Sequence, residues 1–262
     1  MIKAMRTAAS GMSAQQMNVD NIANNLANVN TTGFKKSKVE FQDVLYQRIN
    51  QAGVSSATGS VIPTNLEVGY GVKPVATTRQ FAMGELQSTE NPLDMAIQGN
   101  GFFQVAMPDG TNAYTRDGTF KVSPDGRLIT SDGFFVYPEI TIPEDAESVQ
   151  VTPEGVVSVM QVGQAEPTEI GQFELARFVN PAGLSAMGHN LFQFTAASGD
   201  PITAVPGEEG IGAIAQGYLE VSNVDVVNEM VNMIIAQRAY EINSKAIQTS
   251  EDMTQIATNL KR

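Results

Sequence analysis

At both ends of this 262-residue chain, apolar residues return in alternating steps of three and four. From the start they are Ile2, Met5, Ala9, Met12, Val19, Ala23 and Leu26, with Gln16 the one polar position in the series. Towards the end they are Val231, Ile235, Ala239, Ile242, Ala246, Thr249, Met253, Ile256 and Leu260. A strand repeats every two residues and cannot carry that period, whereas a helix with a narrow a/d seam does. The spacing predicts two terminal helices that pair through their seams as a coiled-coil-like stem. A second stripe on the C-terminal segment, Val226, Met233, Tyr240 and Ile247, widens its apolar face, as though it must touch more than one partner.

The N-terminal helix is poor in good helix formers. Asparagine occupies positions 18, 21, 24, 25 and 28, where its amide competes for local backbone groups. The run "NNLANVNTTGFKK" then offers Gly33 as the left-handed residue that ends a helix, placing the stop between Asn28 and Thr31. At the other end Ser222, three residues before Asp225, reads as a weak capping box opening the C-terminal helix. Ordering about 26 backbone residues costs roughly 1–2 kcal/mol each. Burying the five large seam residues of the first helix returns about 2 kcal/mol each. An isolated pair therefore looks unfavourable, and both ends are expected to order only when neighbouring subunits enclose them. The rival expectation is an ordinary two-helix appendage docked on its own domain.

Between the ends the texture changes. Asp-Gly recurs at Asp109, Asp117, Asp125 and Asp132, each pair set between short runs such as "FFQVAM", "TFKV", "RLIT" and "FFVYPEITI". Asp-Gly accepts the positive φ of tight hairpin turns, so the spacing predicts an antiparallel meander. Further runs, "SVQVT", "GVVSVMQV", "GQFELARFV", "NLFQFTAAS" and "AIAQGYLEV", continue the pattern. The expected class is α+β: an all-β domain over 71–221, inserted between a discontinuous helical domain of 1–31 and 222–262. A connecting segment, 32–70, holds "YQRINQAGVSSATGSVIP", which has little periodicity and reads as a linker or a long extended hairpin-like insertion.

The net charge of −12 is uneven: residues 1–48 carry +3, residues 220–262 carry −2, and the middle carries −13. An acidic middle offers nothing to displace counterions from phosphate, so no nucleic-acid partner is expected. There is no cysteine, which excludes disulfides, thiolate metal sites and lipid-bearing thiols. After Lys3 and Arg6 comes "TAASGMSAQQ" where an apolar core would belong, so no cleavable signal is expected. The lone His189 has no ligand set around it, the serines lack a G-x-S-x-G setting, and the Gly69 and Gly99 loops miss the third glycine of a dinucleotide site. The acids of "PEDAES", from Glu144 to Glu147, read as a polar turn. No catalytic residue, metal or cofactor is expected, and the chain is not read as an enzyme.

Several blocks carry a family likeness. "SAQQMNVDNIANNLANVNTTGFKKSKVEFQDVLYQ", "NPLDMAIQGNGFFQV", "YTRDGTFKV" and "NMIIAQRAYEINSKAIQTSEDM" resemble, in order, the shared blocks of the bacterial flagellar rod and hook proteins. The resemblance implies a structural subunit of a rigid hollow helical tube, with terminal helices inside, a β shell outside and an export channel along the axis. It implies assembly contacts at Ile2, Met5, Met12, Val19, Leu26, Val231, Ile235, Ile242, Met253 and Ile256. The segment 46–63 is similar to a rod-stiffening insertion, with Tyr46, Gln47, Gly53 and Pro63 as its positions. The implied partners are further copies of itself, proximal rod proteins, hook protein, surrounding basal-body ring proteins and the flagellar type III export apparatus. The implied location is the basal body, from periplasm to outer membrane, reached without signal cleavage. The alternatives are a proximal-rod or hook relative and, from another class, a β-rich adhesin or binding domain.

Overall fold

The computed structural model describes residues 2–50, 64–161 and 166–259. The fold class is α+β. The chain divides into two compact units, one of Met1–Leu26, Ser37–Thr78 and Asp225–Arg262, the other of Ala27–Lys36 and Arg79–Val224.

The first unit holds both long helices. Helix α1 spans Ile2–Ala27 and α2 spans Val226–Asn259. The regular part of α1 stops one residue before the expected window, and the chain turns on through a Thr31 N–H to Asn28 carbonyl bond of 3.2 Å. Helix α2 corrects the expected start. Its cap is Asp225, whose Oδ1 accepts the Val227 and Asn228 N–H groups at 2.9 and 3.2 Å. A carboxylate both satisfies these orphan donors and complements the positive helix end, so it displaces Ser222 from the role. Between the helices, β1 (Ser37–Asp43) pairs with β4 (Val72–Arg79). Two further strands, β2 (Tyr46–Asn50) and β3 (Leu66–Gly69), form an antiparallel ribbon with Gln47 opposite Val68. Gly53 and Pro63 lie outside the described residues.

The second unit is all β. It begins with β5 (Leu86–Ser88), β6 (Met95–Gln98), β7 (Phe102–Ala106), β8 (Asn112–Thr115), β9 (Phe120–Val122), β10 (Leu128–Thr130) and β11 (Phe135–Tyr137). A three-stranded antiparallel sheet follows in β12 (Ala146–Val151), β13 (Val156–Gln161) and β14 (Thr168–Gln172). The rest is β15 (Leu175–Arg177), β16 (Ser185–Gly188), β17 (Leu191–Gln193), β18 (Ile202–Ala204), β19 (Ala213–Gln216) and β20 (Tyr218–Glu220). The main sheet runs β16-β17-β8-β7-β11-β10-β9, with β15 bridging β7 to β18. Strand β7 is its centre, and period-2 alternation sends neighbouring side chains into different cores. Phe103 joins Phe120, Phe173, Leu128 and Leu175 in the larger cluster, meeting Phe120 edge-on at 5.0 Å. Phe102 joins Tyr114, Phe178 and Phe192 in the smaller one.

Three Asp-Gly pairs sit where the spacing puts them, in the β7–β8, β9–β10 and β10–β11 turns, with positive φ at Gly110, Gly126 and Gly133. The fourth does not make a hairpin. Strand β8 pairs with β7 and β17, β9 pairs with β10, and Asp117-Gly118 carries the chain across between them. Gly118 is there for closeness: a Cβ would stand 1.6 Å from the Met95 carbonyl oxygen. The expected outcome for Gly118→Ala is therefore a loss of about 3 kcal/mol or more, read by urea denaturation. Gly133→Ala, which has open space around it, pays only for its left-handed φ and should lose about 1 kcal/mol.

Candidate assembly surfaces

The asparagines of α1 have work in the folded chain. Asn25 is almost fully buried and treats Ser37 as a strand would. Its Nδ2 donates to the Ser37 carbonyl at 2.9 Å and its Oδ1 accepts the Ser37 N–H at 3.0 Å. Asn21 reinforces the clamp, donating to the same carbonyl at 2.8 Å and accepting the Ser37 hydroxyl at 2.6 Å. One turn after another, α1 binds the returning chain: Ser10 Oγ accepts the Val72 N–H at 3.3 Å, and Lys3 donates to Gln47 Oε1 on β2. Gln47 Oε1 also accepts the Tyr70 hydroxyl at 3.0 Å.

The inner stripe of α1 is thus Ala8, Ala14, Ile22 and Asn25, all buried. The expected seam is rotated away from it. Met5, Met12, Val19 and Leu26 are half-buried along one flank, Ala9, Gln16 and Ala23 are exposed, and Ile2 opens the helix.

Helix α2 is more unusual, because its large aliphatic residues point out. Val231, Ile235, Ile242, Met253 and Ile256 are exposed, from 49% at Val231 to 67% at Ile242. Val227, Met230 and Ile234 extend that face. The inner stripe is Met233, Ala236, Asn243, Ile247 and Ser250, which includes Met233 and Ile247 of the second stripe seen in the spacing, while Val226 and Tyr240 of that stripe are exposed. Small residues let the helices approach: a Cβ on Gly11 of α1 would lie 2.9 Å from Asn243 Nδ2. The helices therefore touch through Gly11 and Asn243, while the α2 seam faces away.

The β2–β3 ribbon exposes Tyr46, Ile49, Leu66 and Val68. The Asp43 carboxylate raises the Tyr46 phenol above its ordinary value. A lone two-stranded ribbon is marginal in water, and this one leaves its large apolar side chains exposed.

Spacing alone missed the centre of the second unit. Lys35, Arg116 and Glu220 are all buried there, two cations on one carboxylate. Glu220 Oε1 accepts Lys35 Nζ and the Gly84 N–H, and Oε2 accepts Arg116 Nη1 at 3.3 Å. Lys35 also donates to the Ala82 carbonyl at 2.8 Å, and Arg116 to that of Gly99 at 2.7 Å. Burial lowers the pKa of Lys35 and of Arg116, and Glu220 opposes both shifts. The Gly33 N–H donates to the Glu220 carbonyl at 2.8 Å, so "TTGFKK" ends against the strand that precedes α2. Lys35 is one of two consecutive lysines in that turn, and nothing in the local sequence singles it out. His189, by contrast, is an exposed turn residue with Nδ1 3.4 Å from Asp132.

Three family models match the chain in order. "Flagella basal body rod protein" covers 5–35, "Flagellar hook protein FlgE/F/G D1 domain" covers 96–159, and "Flagellar basal body rod FlgEFG protein C-terminal" covers 215–260. The flagellar basal-body rod protein FlgG of Borreliella burgdorferi is 55% identical over 264 residues, covering 100% of both chains. The chain belongs to the FlgG family of flagellar basal-body rod proteins. The FlgG of Caulobacter vibrioides is 49% identical over 99% of this chain and 100% of its own, and that of Bacillus subtilis 40% over 100% of both. It is a structural subunit of the flagellar rod, placed in the basal body, and not an enzyme. A free-standing adhesin is thereby excluded.

Three substitutions test these buried contacts. Asn25→Ala strips two backbone partners from Ser37 and should cost about 1–3 kcal/mol in denaturant unfolding. Glu220→Gln leaves two buried cations without their counter-charge and should cost about 3–5 kcal/mol. Lys35→Met keeps the Glu220–Arg116 pair and should cost less than Glu220→Gln in the same experiment.

Proposed function

We propose that this chain is the distal-rod subunit, a helical homopolymer that carries motor torque to the hook and encloses the export channel. The observation that carries the reading is the outward aliphatic face of α2. Each of Val231, Ile235, Ile242, Met253 and Ile256 stands to gain about 1–2 kcal/mol on being covered. A cytosolic monomer has no use for such a stripe, and a filament of like subunits covers it. In this reading residues 1–31 and 222–262 pair as a stem and build the inner tube. Residues 71–221 form the outer shell. The insertion 46–63 braces neighbouring subunits, and its exposed Tyr46 and the Gln47 tie to α1 support that role.

Proximal rod proteins and hook protein lie at the two ends, ring proteins surround the shell, and the type III apparatus exports the chain unfolded without cleavage. The tube spans periplasm to outer membrane. An asparagine-rich α1, weak by propensity yet rich in clamps once folded, suits a segment that must travel unfolded and order on arrival.

Ile242→Asp and Leu26→Asp are expected to leave a soluble chain with native β-domain circular dichroism and to abolish pelletable polymer on ultracentrifugation. Normal polymer from either variant counts against the reading.

A further inference from the structure

Helices α1 and α2 flank a cleft of about 220 Å³ lined by Gln16 and Val19 on one side and Gln237, Tyr240 and Glu241 on the other. Val19 and Tyr240 are its apolar lining, while two of the polar lining residues have their heads engaged along their own helices, Gln16 with Asp20 and Glu241 with Arg238. Residues three and four apart from two neighbouring helices frame a hole of the kind that receives one knob in helix packing. The volume exceeds that of a cavity able to hold benzene, so an aliphatic side chain fits.

The knobs are on the same chain but on the wrong side of it. Ile235, Ile242 and Ile256 are each at least 60% exposed. At about 100° per residue Ile235 and Ile242 lie roughly 100–160° around the α2 axis from Gln237, Tyr240 and Glu241, and Ile256 stands about four turns further along. A side chain cannot reach round its own helix, so knob and hole of one copy never meet.

We infer that this cleft is the socket for the outward isoleucine stripe of a second copy, joining copies head to tail. Hole and knob on opposite sides of one helix make a heterologous contact, which repeats without closing and leaves each new subunit with a free socket or a free stripe. A stripe-to-stripe contact would instead be isologous and stop at a dimer. The inference rests on the assembly reading above and adds to it the receiving residues and the polarity.

The chain has no cysteine, so single introduced thiols report contacts cleanly. Gln237→Cys would be mixed in turn with Ile235→Cys, Ile242→Cys and Ile256→Cys, each diluted into excess unsubstituted chain so that assembly proceeds whatever a variant does alone. After mild oxidation of the pelleted polymer, at least one mixture should give a disulfide dimer on a non-reducing gel at ten-fold or more the yield of either variant alone. Polymer without any mixed dimer, or dimers of an isoleucine variant with itself, overturns the socket and leaves the assembly reading standing. No polymer from the unsubstituted chain overturns both.

Discussion

One carboxylate holds the β unit together at the point where its discontinuous pieces meet. Glu220 sits out of water between Lys35 and Arg116, and also accepts the Gly84 N–H. Charges so placed are expensive to desolvate and tolerable only when each finds a partner, so all contributing segments must be home at once. Residues 27–36 are thereby part of the β unit, although in sequence they trail the first helix. The arrangement is also highly directional. An apolar plug of equal volume would fill the space without demanding that residue 35, residue 116 and residue 220 come to one place.

The helical unit solves a different problem with different chemistry. Beside Ile22, Met233 and Ile247, many of its inner contacts are made by small and polar groups: Gly11 against Asn243, Asn21 and Asn25 on Ser37, Ser10 on Val72. Hydrogen bonds of this kind lose little when a chain is unfolded in water, because water replaces them. The large aliphatic surface is kept for the outside of α2. A unit built this way uses directional bonds to set its own shape and, in the assembly proposed above, keeps its strongest non-directional force for contacts with neighbouring subunits.

The relation between spacing and structure is uneven for physical reasons. The three-four steps marked both helices because a helix of that length has no other way to place apolar residues on one side. They could not say which side faces inward, since the inner stripes of Ala8, Ala14, Ile22 and Asn25, and of Met233, Ala236, Asn243, Ile247 and Ser250, carry a weaker hydrophobic signal than the seams turned away from them. Asp-Gly marked three hairpin turns through a local φ requirement. At Gly118 the same dipeptide answers to a carbonyl 23 residues earlier in the chain, at Met95, and nothing local distinguishes the two cases. Asp225 was visible beside Ser222, and the choice between them as cap lay in where the helical turn begins.

The α+β class, the two terminal helices, three of the Asp-Gly hairpin turns and the rod family are legible in the order of residues, because each rests on short-range periodicity, local dihedral preference or ordered blocks of residues. It takes the folded chain to bring Lys35, Arg116 and Glu220 into one buried site, to clamp a strand with asparagines and to turn the isoleucines of α2 outward. Those facts depend on groups up to 185 residues apart being desolvated together, and desolvation is a property of the folded surroundings that no local stretch of chain contains.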